Sequence, residues 1–108
     1  MAKIHLHTKY SLLDAIIEPE ELVKKCVQQG DKALCVTEHG NVYSNVELYK
    51  LCQQYGIKYL YGCEMYICDN VEVRDKNNRY HHLVVVAKNE TGRLNLNKLV
   101  SESCKYKY

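Results

Sequence analysis

Apolar and polar positions alternate along Lys3-Ile4-His5-Leu6-His7-Thr8, with Ile4 and Leu6 set between the two histidines. A period of two is that of a strand. The spacing therefore predicts one, with both imidazoles on one face and Ile4 and Leu6 on the other. Residues 8–14 follow as a loop. Pro19 then opens a helix at its first turn, where a missing N–H costs nothing. Leu22, Val23, Cys26 and Val27 form the buried stripe of that helix, and Gly30 closes it. Glu20 and Glu21 stand near its positive end, each with a lysine four residues on, Lys24 and Lys25.

The short apolar run Ala33-Leu34-Cys35-Val36 predicts a strand covered on both faces, ending in Thr37-Glu38-His39-Gly40-Asn41. A second helix follows, with Ser44 as N-cap and Glu47 three residues later, the pattern of a capping box. Leu48, Leu51, Cys52 and Tyr55 make its core face, and Gly56 ends it. Residues 57–68 read as a strand with a break at Gly62, leading through Gly62-Cys63-Glu64. Residues 69–80 are polar and Asn-rich, which predicts an exposed loop or hairpin. His82 begins Leu83-Val84-Val85-Val86-Ala87, a buried strand by its length and β-branching. From Glu90 onward Leu96, Leu99, Val100 and Cys104 fit a third helix, which runs into Lys105-Tyr106-Lys107-Tyr108.

Strand, helix, strand, helix, strand, strand, helix is the order of an α/β protein with a largely parallel sheet. Ligands in such folds gather at the carboxyl ends of the strands. His7, His39 and Glu64 each fall at or near such an end. His82 sits at the start of its run, so either that strand is antiparallel or the residue reaches in from a loop.

Composition narrows the classes. At 108 residues the chain is one domain at most, and 46% hydrophobic with 26% charged residues is that of a soluble globular protein. A net charge of +2 is too small to argue for nucleic acid or an acidic membrane by electrostatics alone. The sequence holds no apolar run of about 18 residues for a membrane span, and Met-Ala-Lys is not a signal peptide. Six cysteines could form disulfides, but no pair has CxxC spacing and most fall on apolar faces. That predicts free thiols and a reducing, cytoplasmic setting. Ten tyrosines accompany no phenylalanine and no tryptophan. The basic, tyrosine-rich end invites stacking on nucleic acid, although chain ends of this kind are usually just solvated.

Two histidines two apart on a strand can converge on one zinc, manganese or iron ion, since neutral imidazole is a common ligand for these metals. The alternative is two polar residues on a wet strand face. The surrounding motifs favour the first and leave a degenerate, hydrogen-bonded pair as the alternative. His5-Leu6-His7 with Tyr10-Ser11-Leu12-Leu13-Asp14, then Thr37-Glu38-His39-Gly40-Asn41, then Gly62-Cys63-Glu64, then His82-Leu83 with Ala87-Lys88-Asn89 occur in one order. Together they resemble the PHP domain (polymerase and histidinol phosphatase), in the form that opens the alpha subunit of bacterial replicative DNA polymerase III. The likeness runs over nearly the whole chain.

The resemblance implies a distorted seven-stranded β/α barrel holding up to three divalent cations, such as zinc, manganese or magnesium, among histidines and carboxylates. This chain would supply the amino-terminal half, with residues 1–108 as a partial domain. The family contains phosphoesterases, metal-dependent 3′–5′ exonucleases and members that only brace the polymerase. Carried over residue by residue, the metal ligands are His5, His7, Asp14, His39, Glu64 and His82, with His81 the lesser candidate of its pair. Glu64 would bridge two ions, and His7, His39 and Glu64 would be the catalytic core. Glu38 replaces the family's usual aspartate, and its extra methylene would lengthen any bond it makes to a ligand. The family's later ligands have no counterpart before residue 108, so six ligands would hold one or two ions rather than the full cluster.

Three readings follow. The chain is a phosphoesterase or exonuclease module of a polymerase, or a non-catalytic brace from the same protein, or a small metalloenzyme assembling its site in an oligomer. It carries no polymerase palm carboxylates. No nucleophilic Ser–His arrangement or phosphate-cradling Gly-rich loop is visible, so metal is the only catalytic apparatus. A full β/α barrel takes about 200–250 residues. Half of one leaves open edges and an apolar inner face. The expected partners are therefore the remainder of a polymerase chain or further copies of this one, with DNA reached through the parent polymerase and no membrane.

Overall fold

The computed structural model describes residues 3–73 and 77–106. Its elements run α1 (Pro19–Gln28), β1 (Ala33–Val36), α2 (Asn45–Tyr55), β2 (Lys58–Ile67), β3 (His81–Val86) and α3 (Glu90–Ser103). The strands form one sheet in the order β1-β2-β3. β1 and β2 are parallel and joined by α2, whereas β2 and β3 are an antiparallel pair. The sheet is thus mixed, and His82 reaches the site from an antiparallel strand.

The amino-terminal segment is not a regular strand. It makes a single parallel bridge, Lys3 with Leu34, and feeds β1 through Cys35 N–H to the Lys3 carbonyl (3.2 Å) and Thr37 N–H to the Leu6 carbonyl (2.8 Å). This is enough to lay it beside β1, so that its end, the end of β1, the far part of β2 and the start of β3 share one edge.

One core cluster joins Leu22, Val23 and Cys26 of α1, Leu34 and Val36 of β1, Leu48 and Cys52 of α2 and Tyr59 of β2, with Leu6 packed against it. A second joins Cys63 to Leu96 and Val100 of α3. All six cysteines are free, and burial pushes the Cys35 and Cys52 thiols up to about 11. Val27, expected in the buried stripe of α1, is exposed instead, as are Leu99 of α3 and Cys104 just after it. β3 is also not a buried strand, because Leu83 is 46% exposed and nothing described pairs with its outer edge.

Local chemistry departs from expectation at two points. Ser44 precedes α2 with helical dihedrals and its side chain caps nothing, so the capping box with Glu47 does not form. Glu47 accepts a hydrogen bond from the Tyr10 hydroxyl instead, at 2.7 Å. Nor does Gly62 interrupt β2, which runs straight through it. A Cβ there would lie 2.7 Å from Thr37 Cγ2 and 2.9 Å from Cys35 Sγ, so glycine is required by the close approach of β1.

The tyrosine excess acquires a partial reason. The hydroxyls of Tyr10, Tyr49, Tyr55, Tyr59 and Tyr66 each meet a polar partner that phenylalanine would leave unmatched. No helix is long and apolar enough to cross a membrane among the described residues. Of the basic tail, Lys107 and Tyr108 lie outside the described residues. Lys105 pairs with Glu102 at 2.7 Å.

Candidate metal centre

Glu64 stands at the middle of the shared edge. Its N–H donates to the Glu38 carbonyl (3.0 Å) and its carbonyl accepts from Gly40 N–H (2.8 Å), an extension of the β1–β2 pairing to His39 and Glu64. Gly40 permits that return through its left-handed φ of 59°. The Glu64 side chain is only 2% exposed, and four imidazoles face its two oxygens. Oε2 lies 2.6 Å from His5 Nε2 and 3.1 Å from His7 Nε2. Oε1 lies 2.5 Å from His82 Nδ1 and 3.6 Å from His39 Nδ1.

Each approach has a local cause. His5 and His7 keep strand parity although the ladder is reduced to one bridge, so both project the same way. His82 pairs with Tyr66 across the β2–β3 ladder, two residues from Glu64 and on its face. His81 pairs with Ile67 on the other face and joins no donor group. Asp14 arrives from the loop before α1, where Leu13 takes a left-handed φ of 65°. Asp14 Oδ2 lies 3.1 Å from His39 Nε2 and 3.9 Å from His7 Nε2. All six expected side chains therefore meet.

They form three overlapping triads: His5, His7 and Glu64; His7, Asp14 and His39; His39, Glu64 and His82. Within each, the donor atoms lie no more than 4.8 Å apart. Donors about 2.0–2.2 Å from one cation are roughly 3–4 Å from each other, so the triads stand near ligand spacing. Imidazole nitrogen with carboxylate oxygen suits zinc, manganese or iron. A neutral imidazole offers one lone pair, so His7 Nε2 serves either of its triads but not both. His7 Nδ1 is buried with no hydrogen-bond partner among the described residues. The donor set fits a divalent cation.

Burial alone would raise the Glu64 carboxyl's pKa. The hydrogen bond with His5 and the nearby His39, His5 and His7 outweigh it and hold the group below the ordinary carboxylate value, ionised as a ligand must be.

Two residues of the site have roles that the residue pattern alone does not give. Tyr66 places its hydroxyl 2.9 Å from His39 Nδ1, its ring nearly parallel to that imidazole, and the His7 ring stacks on His39 with centroids 4.2 Å apart. Its position two residues after Glu64 on a strand was the available signal. Glu38 touches no ligand side chain, so its extra methylene lengthens no bond to one. Its carboxylate is buried and accepts from Thr8 N–H, the Thr8 hydroxyl and the Ser11 hydroxyl. An open recess of about 760 Å³ beside the cluster is lined by His39, Tyr66, Tyr80, His82 and Tyr106 among others.

A parallel β–α–β core extended by an antiparallel strand, with histidines and carboxylates collected at one edge, defines an α/β protein with a candidate metal-binding edge. The chain belongs to the PHP domain family, whose pattern it matches over residues 3–108. It is similar to the N-terminal regions of DNA polymerase III alpha subunits. The subunit from Treponema pallidum is 38% identical over 104 residues, covering 93% of this chain and 9% of that protein. That from Chlamydia pneumoniae is 41% identical over 102 residues, covering 91% and 8%. The chain thus spans less than a tenth of the length of these relatives.

Among solved structures it resembles a protein from Bifidobacterium adolescentis described as a candidate metal-dependent phosphoesterase, with a TM-score of 0.64 at 19% identity. It also resembles an amidohydrolase from Chromobacterium violaceum, with a TM-score of 0.63 at 18% identity. Each likeness covers 90% of this chain and 32% of the other. The fold is therefore part of a PHP-type, TIM-barrel-like barrel.

Proposed function

We propose that the cluster binds two divalent cations and that the chain is the metal-holding part of a phosphoesterase module, of the 3′–5′ exonuclease type, within a polymerase alpha subunit. The observation that carries this reading is the disposition of Glu64, with two imidazoles at one oxygen and two at the other. His5, His7 and Glu64 Oε2 would hold one cation; His39, His82 and Glu64 Oε1 would hold the second. Bound cations would neutralise phosphate charge and lower the pKa of a coordinated water. The chain's own residues do the placing. Glu64 would fix the separation, Asp14 would orient His39 by accepting from its Nε2 so that Nδ1 keeps its lone pair for the cation, and the aromatic recess would admit the ester.

The test is metal-stimulated release of nucleotides from a DNA 3′ end, with cation content measured on the same sample. Loss of release in His7→Ala and Glu64→Ala supports the reading. Less than about a tenth of an equivalent of zinc, manganese or iron after reconstitution refutes it and leaves a structural brace.

One observation favours a bracing role alongside. The accessible surface of 7651 Å² exceeds the roughly 6,200 Å² expected for a monomer of this mass. The radius of gyration of 14.8 Å likewise exceeds about 13 Å. The exposed outer edge and face of β3 call for further polypeptide, which in isolation a second copy of the chain would supply. A sharply monomeric species in sedimentation at micromolar concentration refutes that.

A further inference from the structure

The two halves of the donor cluster come from different stretches of chain. His7 and Asp14 flank residues 8–13, while His39 and Glu64 belong to the β1–β2 edge. Glu38 connects them. It is 1% exposed, and its carboxylate collects three donors from the loop: Thr8 N–H at 3.1 Å, the Thr8 hydroxyl and the Ser11 hydroxyl, each at 2.5 Å. The Ser11 oxygen in turn accepts the His39 N–H at 3.1 Å. Thr8 follows His7 directly, Ser11 accepts Asp14 N–H on its carbonyl at 3.1 Å, and His39 follows Glu38. One buried carboxylate thus fixes the backbone on both sides of the His7–Asp14–His39 triad without reaching a ligand side chain.

We propose that Glu38 is the positioning residue of the centre, setting the distance between the loop donors and the edge donors through the Thr8–Glu38–Ser11–His39 relay. This rests on the cluster being a metal site, but the relay itself is testable without metal. The added methylene is part of the device. A glutamate spans from the β1 end to both hydroxyls, and an aspartate at the same backbone position reaches one bond less far. Glutamine keeps the length but turns one acceptor into a donor. Whichever hydroxyl, that of Thr8 or of Ser11, faces the amide nitrogen then loses its acceptor, and the relay loses one of its links.

The experiment uses the full chain and the variants Glu38→Gln, Glu38→Asp and Ser11→Ala. Amide hydrogen exchange is read in chelator, and zinc affinity is read by competition with a chromogenic chelator. Expected are exchange at the Thr8 and His39 amides at least tenfold faster, with the amides of Val23 and Leu48 unchanged. Zinc affinity is expected to weaken by about 10–100-fold, the range for residues that orient ligands. The cobalt(II) absorption bands should also shift, which a loss of global stability alone would not cause. Ser11→Ala, which removes the hydroxyl's links to both Glu38 and His39 and leaves the Thr8–Glu38 bonds, should reproduce the change at the His39 amide if Glu38→Gln does not fold.

Unchanged exchange at Thr8 and His39 in the variants overturns the relay whether or not metal binds. Faster exchange with unchanged zinc affinity and cobalt bands overturns the positioning role. A wild-type chain that takes up no cation overturns the metal reading and with it the function assigned to Glu38, while the exchange data still decide whether the relay exists.

Discussion

Two adjacent histidines provide a sharp test of the site, because the strand sends them to opposite faces. His82 Nδ1 lies 2.5 Å from Glu64 Oε1, whereas His81 sits opposite Ile67 and joins no donor group. His82→Ala removes one of three donors from the triad with His39 and Glu64 and leaves His5, His7 and Glu64 Oε2 intact. Glu64→Ala removes the oxygen of both. The expected content is therefore two cations in the wild type and in His81→Ala, one in His82→Ala, and at most one in Glu64→Ala, where only the His7–Asp14–His39 triad remains.

The thermal consequence can be scaled. A ligand at a hundred times its Kd stabilises the native state by about 2.7 kcal/mol. Unfolding entropy near 2.1 cal/mol/K per residue amounts to about 0.23 kcal/mol/K for a chain of 108 residues. Each independent ion should then raise the midpoint by about 12 °C. Calorimetry with and without chelator, alongside elemental analysis, reads both quantities. A His82→Ala protein that keeps two ions, or a His81→Ala protein that loses one, refutes the assignment.

Three further outcomes are expected. Since the folded Glu64 carboxyl lies below its ordinary value of 4.5, its contribution is complete above that pH and is lost as pH falls through the depressed value; in chelator, Glu64→Gln should flatten this acid limb of a denaturation series, and an unaltered limb contradicts it. Gly62→Ala drives a methyl into Thr37 Cγ2 and Cys35 Sγ, an overpacking that should cost about 1–3 kcal/mol and lower the midpoint by roughly 4–8 °C per kcal/mol; an unchanged midpoint would show that β1 and β2 are not so close. Leu13→Gly relieves a left-handed backbone at a fully exposed side chain, so stability should change by less than about 1 kcal/mol in denaturant titration, with a larger loss counting against that strain.

What was legible in the sequence depended on parity and punctuation, and what was hidden depended on partners across space. His5 and His7 meet the same Glu64 oxygen because side-chain alternation survives even where the ladder shrinks to one bridge. Pro19, the apolar spacing of α1 and the left-handed Gly30 and Gly56 marked helix bounds for local reasons. The capping box failed because Ser44 adopts helical dihedrals and Glu47 is taken by Tyr10, 37 residues away. Gly62 read as a break since glycine weakens strands in general. Its role as a close-approach residue appears only with β1 alongside. β3 read as buried from its valines, yet among the described residues its outer edge is unpaired and Leu83 and Val86 are exposed. The departure at Glu38 was visible as a residue type, but Thr8 and Ser11 as its partners were not, since both belong to a loop with no periodic pattern.

The same distinction separates the two halves of the site. The donors at Glu64 Oε2 come from a segment pinned to β1 and packed, through Leu6, against the larger core cluster. The donor His82 at Oε1 comes from a strand whose pairing is to β2 alone, and its side chain is 52% exposed against 17% for His7. Whatever covers β3 therefore acts on one half of the centre before the other. The His5–His7 side is built by this chain's own core. Among the described residues His82 is held by the β2–β3 ladder alone, so its geometry would respond first to any polypeptide packed against β3.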